Sequence, residues 1–102
     1  MTEQDLQNQV RLELSSLGFT VFRMNVGKVR MADGRFFDTG LPRGFSDLMA
    51  LKEGKVYFIE LKFGKNKPSP EQINFIEQMQ KKGFSAGVAY SIDDVKKICE
   101  VE

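Results

Sequence analysis

Apolar residues recur at helical spacing near the start of the chain, where Leu6, Val10, Leu14 and Leu17 fall on one face of a helix. Thr2, with Asp5 three residues on, is a variant of the capping box that starts such a helix, and Gly18 stands where it should end. The period then changes: Phe19 to Met24 alternates and is rich in β-formers, which predicts a strand. Residues 25–44 break the pattern with Gly27, Gly34, Gly40 and Gly44, and Asp33-Gly34 between two β-prone pieces, Lys28 to Met31 and Arg35 to Phe37, predicts a hairpin. Asp47 to Leu51 and Lys55 to Phe63 read as two strands joined across Glu53-Gly54. In the second of them, Val56, Tyr57, Phe58, Ile59 and Leu61 put apolar groups on both faces, as a central strand requires. Ser69, Pro70 and Gln72 supply the N-cap, N1 and N3 positions of a second helix, whose face carries Ile73, Ile76 and Met79 and which stops at Gly83. Phe84 to Tyr90 predicts a buried strand, and Ser91 with Asp94 caps a short last helix holding Val95 and Ile98.

This order, α-β-(hairpin insert)-β-β-α-β-α, predicts an α/β sandwich around a mixed sheet. The strand ending near Phe63, the helix after it and the strand from Phe84 form a βαβ crossover, expected to be right-handed with parallel strands. A chain of 102 residues, 41% of them hydrophobic, fits one domain over residues 1–102 with a single modest core.

Composition removes several chemistries. The chain has no histidine, which excludes Ser-His-Asp and Cys-His nucleophiles, His-ligated zinc and every His-based general base. Carboxylate, lysine and tyrosine remain for acid, base or metal work. The single cysteine, Cys99, rules out an intramolecular disulfide and a multi-cysteine zinc site and reads as a small apolar residue of the last helix. A net charge of +1 gives no bulk attraction to nucleic acid, so any such binding depends on how the charges are distributed. No apolar run approaches a membrane span, and the polar start MTEQDLQNQ lacks the pattern of a signal peptide, so a cytoplasmic location is expected.

The segment SDLMALKEGKVYFIELK places two acids where core-strand residues are otherwise apolar. If Glu53 and Gly54 form a two-residue turn, Lys52 pairs with Lys55, and counting back along the hairpin sets Asp47 opposite Glu60. Their Cβ atoms would then be roughly 4.5–5.5 Å apart on one face. Carboxylates that close repel each other unless a cation lies between them, and a divalent ion is the natural solution. Lys62, two residues after Glu60, projects from the same face. Magnesium held by hard carboxylate oxygens, with a lysine beside an attacking water, suits phosphodiester hydrolysis. The plainer alternative puts Asp47 at an ordinary loop-strand junction and Glu60 with Lys62 on a solvated strand edge.

At these residues the sequence resembles the PD-(D/E)XK nuclease superfamily, and within it the VRR-NUC branch, the virus-type replication and repair nuclease domain. The likeness runs through the leading helix with Glu3 and Gln7, FRMNVGKVR at 22–30, GLPRGFSDL at 40–48, IELK at 59–62 and SPEQ at 69–72. It implies a restriction-endonuclease-like α-β-β-β-α-β core, with Asp47, Glu60 and the Leu61 backbone carbonyl as metal ligands and Lys62 as the catalytic lysine. Glu3 resembles the first-helix glutamate that reaches the metal directly or through water; its alternative is a favourable acid in the first helical turn. Gln72 resembles a glutamine that approaches the active site, and its alternative is to complete the Ser69 capping box, two roles not easily filled at once. Ser46 departs from the superfamily's usual proline, which shapes backbone and holds no metal.

The resemblance implies magnesium, or manganese in its place, and DNA as partner. The family's compact members resemble Holliday-junction resolvases, which implies a homodimeric endonuclease acting on branched DNA in phage or mobile-element replication and repair. Lys28, Arg30 and Arg35 on the hairpin, Arg43 before the acids, and Lys65 and Lys67 beyond them are the candidate phosphate contacts. No base-reading motif is visible, which favours structure-directed cutting. A monomeric nicking or flap nuclease, and a non-catalytic binding module retaining the fold, are the competing readings.

Overall fold

The first capping box closes in both directions, with the Asp5 amide donating to Thr2 Oγ1 at 3.1 Å and the Thr2 amide donating to Asp5 Oδ2 at 2.9 Å. Helix α1 (Glu3–Ser16) follows from it and buries Leu6, Gln7, Val10 and Leu14. The chain turns out of the helix at Gly18, whose φ of 90° is open to glycine and strained for other residues. It then enters strand β1 (Thr20–Arg23). These coordinates are a computed structural model that describes residues 1–102 except Gly27, with Lys28 and Val29 described by their backbone alone.

Strands β2 (Lys28–Arg30) and β3 (Phe36–Asp38) pair antiparallel as a two-stranded sheet of their own, with Asp33-Gly34 in the turn between them. Strands β4 (Leu48–Lys52) and β5 (Lys55–Leu61), helix α2 (Pro70–Lys81), strand β6 (Ser85–Ala89) and helix α3 (Ile92–Ile98) complete the chain. The main sheet has the order β1-β4-β5-β6, antiparallel up to β5 and parallel between β5 and β6. The mixed sheet, the hairpin insert and the parallel crossover all follow the pattern read from the sequence. Strands β1, β2, β5 and β6 are one or two residues shorter at an end than predicted, with Phe19 and Phe63 packed on the core outside the ladder, while β3 and β4 are shifted one residue along the chain.

The turn that sets the register is the expected two-residue one. Glu53 and Gly54 have φ of 52° and 79°, the paired positive values of a type I′ turn. Lys52 therefore faces Lys55 and Leu48 faces Ile59. Asp47, one residue before β4, continues that register toward Glu60 and lies close enough for its carboxylate to act on the Glu60 carboxyl.

The sheet divides the interior into two layers rather than leaving one core. On one side Leu6, Val10 and Leu14 of α1 and Val95 and Cys99 around α3 cover Leu48, Ala50, Tyr57, Ile59 and Leu61. On the other, Ile76 of α2 covers Phe58 and Ala86, with Phe45, Phe75 and Met79 half-buried around them. Alternation along β5 thus sends Ile59 and Leu61 toward α1 and α3, and Phe58 and Glu60 toward α2. The Phe58 ring meets Phe45, Phe75 and Phe84 edge-on, at centroid distances of 5.9, 5.5 and 5.6 Å. Such pairs add roughly 0.5–1.5 kcal/mol each beyond their buried area, and they bind the segment before Asp47 and the middle of α2 to the same strand. Among the described residues, no helix is long and apolar enough to cross a membrane.

Candidate active site

Asp47 lies one residue before β4, and the backbone around it is fixed on both sides. Its carbonyl accepts from the Met24 amide at 2.8 Å, which extends the β1 ladder. The neighbouring Ser46 is fully buried, and its hydroxyl donates to the Leu48 carbonyl at 3.0 Å. Ser46 therefore stabilises the bend by a hydrogen bond where proline would do so through its ring. The Asp47 side chain reaches across to β5, where Oδ2 accepts from the Leu61 amide at 2.9 Å.

Glu60 is 1% exposed, in a central strand flanked by β4 and β6. A solvated strand edge is therefore not its setting. Its Oε2 accepts from Gln72 Nε2 at 3.0 Å and lies 3.5 Å from Lys62 Nζ. Its Oε1 is the buried side-chain polar atom that has no hydrogen-bond partner among the described residues. Burial, and after it the Asp47 carboxylate alongside, push the Glu60 carboxyl up to about 8, against the lowering pull of Lys62. The acid is thus held in a place that disfavours its charge and offers that charge one unfilled oxygen.

Gln72 fills both roles that looked mutually exclusive in the sequence. Its Oε1 accepts from the Ser69 amide at 2.8 Å, completing the capping box of α2, while its Nε2 donates to Glu60. The expectation of a conflict is corrected by the chemistry of the side chain: a carboxamide has an acceptor end and a donor end, and each points at a different partner.

Gly44 brings that helix start close to the loop before Asp47. A Cβ on Gly44 would sit 2.4 Å from the Glu71 carbonyl oxygen, so only a glycine allows the approach. The cleft that results contains Gln7, Arg23, Met24, Asp47 and Gln72 and has a volume of about 270 Å³. A larger adjoining cavity of about 640 Å³ shares Val26, Gly44 and Gln72 with it and adds Asp38, Arg43 and Glu71.

Glu3 is exposed in the first turn of α1, and no three carboxylate or thiol groups come together to hold a metal among the described residues. The first-helix residue at the cleft is Gln7, which is 9% exposed. The sequence carried a signal for it: Gln7 lies three residues before Val10 and seven before Leu14, so a polar group stands on the buried stripe. Asp47 and Glu60 are the two carboxylates brought together here, and they could hold a cation between them. Hard oxygens beside an unpartnered buried carboxylate atom suit magnesium.

The basic residue that lines this cleft is Arg23, which the sequence reading did not single out, and none of the expected phosphate contacts lines it. Arg43 is exposed and lines the larger cavity. Arg30 and Arg35 are exposed on the ribbon, and Arg35 pairs with Asp33 at 2.7 Å. Lys65 and Lys67 are exposed on the loop after β5, whose backbone is tied down by the Tyr90 hydroxyl donating to the Asn66 carbonyl at 2.9 Å. The side chain of Lys28 lies outside the described residues.

The family model of the VRR-NUC domain matches residues 2–93, from the N-cap of α1 to the start of α3. A solved structure described as a VRR-NUC domain is 27% identical, covers 96% of this chain and 94% of its own, and superposes with a TM-score of 0.68. No curated protein matches the chain. A match that spans the acid pair, the lysine and the helices α1 and α2 places this chain in the VRR-NUC family of nuclease-type domains.

Proposed function

We propose that this domain is a magnesium-dependent DNA endonuclease that hydrolyses phosphodiester bonds in branched DNA, such as a four-way junction, during phage or mobile-element replication and repair. One observation carries the reading: Glu60 is buried, opposite Asp47 and beside Lys62, with Oε1 unpartnered. An acid serving only the fold would be replaced there by an apolar residue at a gain in stability, since a buried charge without full compensation is strongly unfavourable.

In this reading Asp47, Glu60 and the Leu61 carbonyl hold Mg²⁺, or Mn²⁺ in its place. When bound, the cation offsets the phosphate charge and makes a water more acidic. The chain's own groups do the rest. Gln72 holds Glu60 Oε2, which leaves Oε1 without a partner and Glu60 as a residue that would hold the cation. Lys62, with its side chain 17% exposed, presents an ammonium 3.5 Å from Glu60 Oε2 that would offset negative charge as the phosphate is attacked. Arg43 in the adjoining cavity, Arg30 on the β2–β3 ribbon with Lys28 and Arg35, and Lys65 with Lys67 after β5 serve as the phosphate contacts in this reading. Cutting both strands of a junction needs two such centres related by a twofold axis, so the active species is a homodimer.

The test is cleavage of duplex, flap and four-way-junction DNA with and without magnesium, by wild type and Asp47→Ala. The reading predicts magnesium-dependent cutting that prefers the junction and is lost in the variant. Equal cleavage by both proteins would remove the proposed centre. No cleavage of any substrate would leave a nucleic-acid-binding module on the same fold.

A further inference from the structure

The β2–β3 ribbon is more apolar at its surface than a phosphate clamp requires. Phe36 and Phe37 are 63% and 58% exposed, and Met31 beside the turn is 47% exposed. Successive strand residues point to opposite faces, so the two rings stand on the two sides of the ribbon. The register pairs Arg30 with Phe36 and Lys28 with Asp38. Arg30 and Phe36 are therefore cross-strand neighbours on one face. Asp38 shares that face and lines the cavity that runs by way of Arg43 and Gln72 into the cleft of Asp47.

We propose that this ribbon is a wedge that enters DNA where base stacking is interrupted, with Phe36 against the base on one side and Phe37 against the base on the other. The inference rests on the nucleic-acid reading above and deepens it by naming the feature recognised, an unstacked base step rather than a sequence. A flat protein surface would cover one ring and leave the other in water, because the rings point in opposite directions. A branch point offers a π-face on each side of a narrow gap. Every base has such a face, so stacking tolerates any sequence. The charges agree with an anionic partner. Asp33 is paired to Arg35, and the Asp38 carboxylate accepts from the Gly40 amide at 2.9 Å, while Arg30 and Arg43 are in no ion pair among the described residues. A strand leaving the branch point on the Phe36 face is led past Arg43 toward the acid pair.

The experiment uses the full chain without added divalent metal, so that its outcome is independent of cleavage. Two probes are compared, a four-way junction and an uninterrupted duplex, each with 2-aminopurine at its centre. Wild type should change the fluorescence at the branch and leave the duplex signal unaltered. Phe36→Ala and Phe37→Ala should each weaken junction binding roughly tenfold, lower its preference over duplex to match, and abolish the fluorescence change. Phe36→Trp should restore all three. Because both rings are exposed, their removal takes nothing from either core layer. Unchanged junction binding, or equal losses on junction and duplex, would overturn the wedge. A changed sedimentation coefficient of the free Phe36→Ala protein would overturn it too, by assigning the ring to a second copy of the chain. A lack of cleavage with this stacking intact would sink the nuclease reading alone, and cleavage with no stacking would sink the wedge alone.

Discussion

One carboxamide joins a helix start to a buried acid: Gln72 takes the Ser69 amide on its oxygen at 2.8 Å and gives its nitrogen to Glu60 at 3.0 Å. The N-terminus of α2 and the C-terminal end of β5 are thereby held in one geometry, so a local capping device also orients the candidate ligand. Gln72→Ala should cost about 1 kcal/mol of stability through the lost cap and hydrogen bond. Gln72→Glu retains the acceptor for Ser69 but sets a carboxylate against Glu60. If orientation of Glu60 matters, cleavage rates fall in the order wild type, Gln72→Ala, Gln72→Glu, while the thermal midpoint of Gln72→Ala is at or below that of Gln72→Glu. Wild-type cleavage by the Glu variant would reduce Gln72 to a cap.

Lys62 stands beside Glu60 without being one of the oxygen donors. Lys62→Ala should therefore leave magnesium binding, read by titration calorimetry, within a few-fold of wild type and lower the turnover number roughly 100-fold. Loss of metal affinity in step with turnover would instead make the ammonium part of the ion's site.

The pH dependence of the metal-free protein has a definite sign. The Glu60 carboxyl titrates near 8 when folded and near the ordinary 4.5 when unfolded. Between those values the native state holds a proton that the unfolded chain has released, so this group's contribution is full below about pH 4.5 and is lost as pH rises toward 8. Denaturation midpoints without metal should fall across that window, by on the order of a few kcal/mol. Glu60→Gln should flatten the fall, and saturating magnesium should offset it, since the ion favours the charged form. A midpoint rising over the same window in the metal-free protein would contradict the burial assigned to Glu60.

Gly44→Ala tests how closely the loop before Asp47 must approach α2. The new Cβ would meet the Glu71 carbonyl oxygen at 2.4 Å and its carbon at 2.6 Å, both backbone atoms, at a φ of 89°. Gly40 has a similar φ of 81° and nothing within 4 Å of the same added atom. Gly40→Ala should thus lose only the left-handed conformational term, roughly 1–2 kcal/mol, and Gly44→Ala a further 1–3 kcal/mol or so of overpacking strain. Urea denaturation of the two variants reads the difference, and equal losses would show that the loop and helix can move apart freely.

What the sequence determined by itself is what depends on residues close together in the chain. Thr2 with Asp5, Ser69 with Gln72 and Ser91 with Asp94 each start a helix through bonds spanning three residues. Glu53-Gly54 fixes the β4–β5 register through one turn, which is why Asp47 opposite Glu60 could be counted out before any fold was known. Tertiary structure alone decided the rest. Glu60 in IELK reads equally well as edge or centre, and it is buried because β6 and α2 from later in the chain cover it. Gln7 rather than Glu3 reaches the cleft because the rotation of α1 follows from how Leu6, Val10 and Leu14 pack on the sheet. The double bonding of Gln72 and the isolation of the β2–β3 ribbon have the same origin. Desolvation and side-chain partnership are set by groups distant in sequence, and no local rule carries their positions.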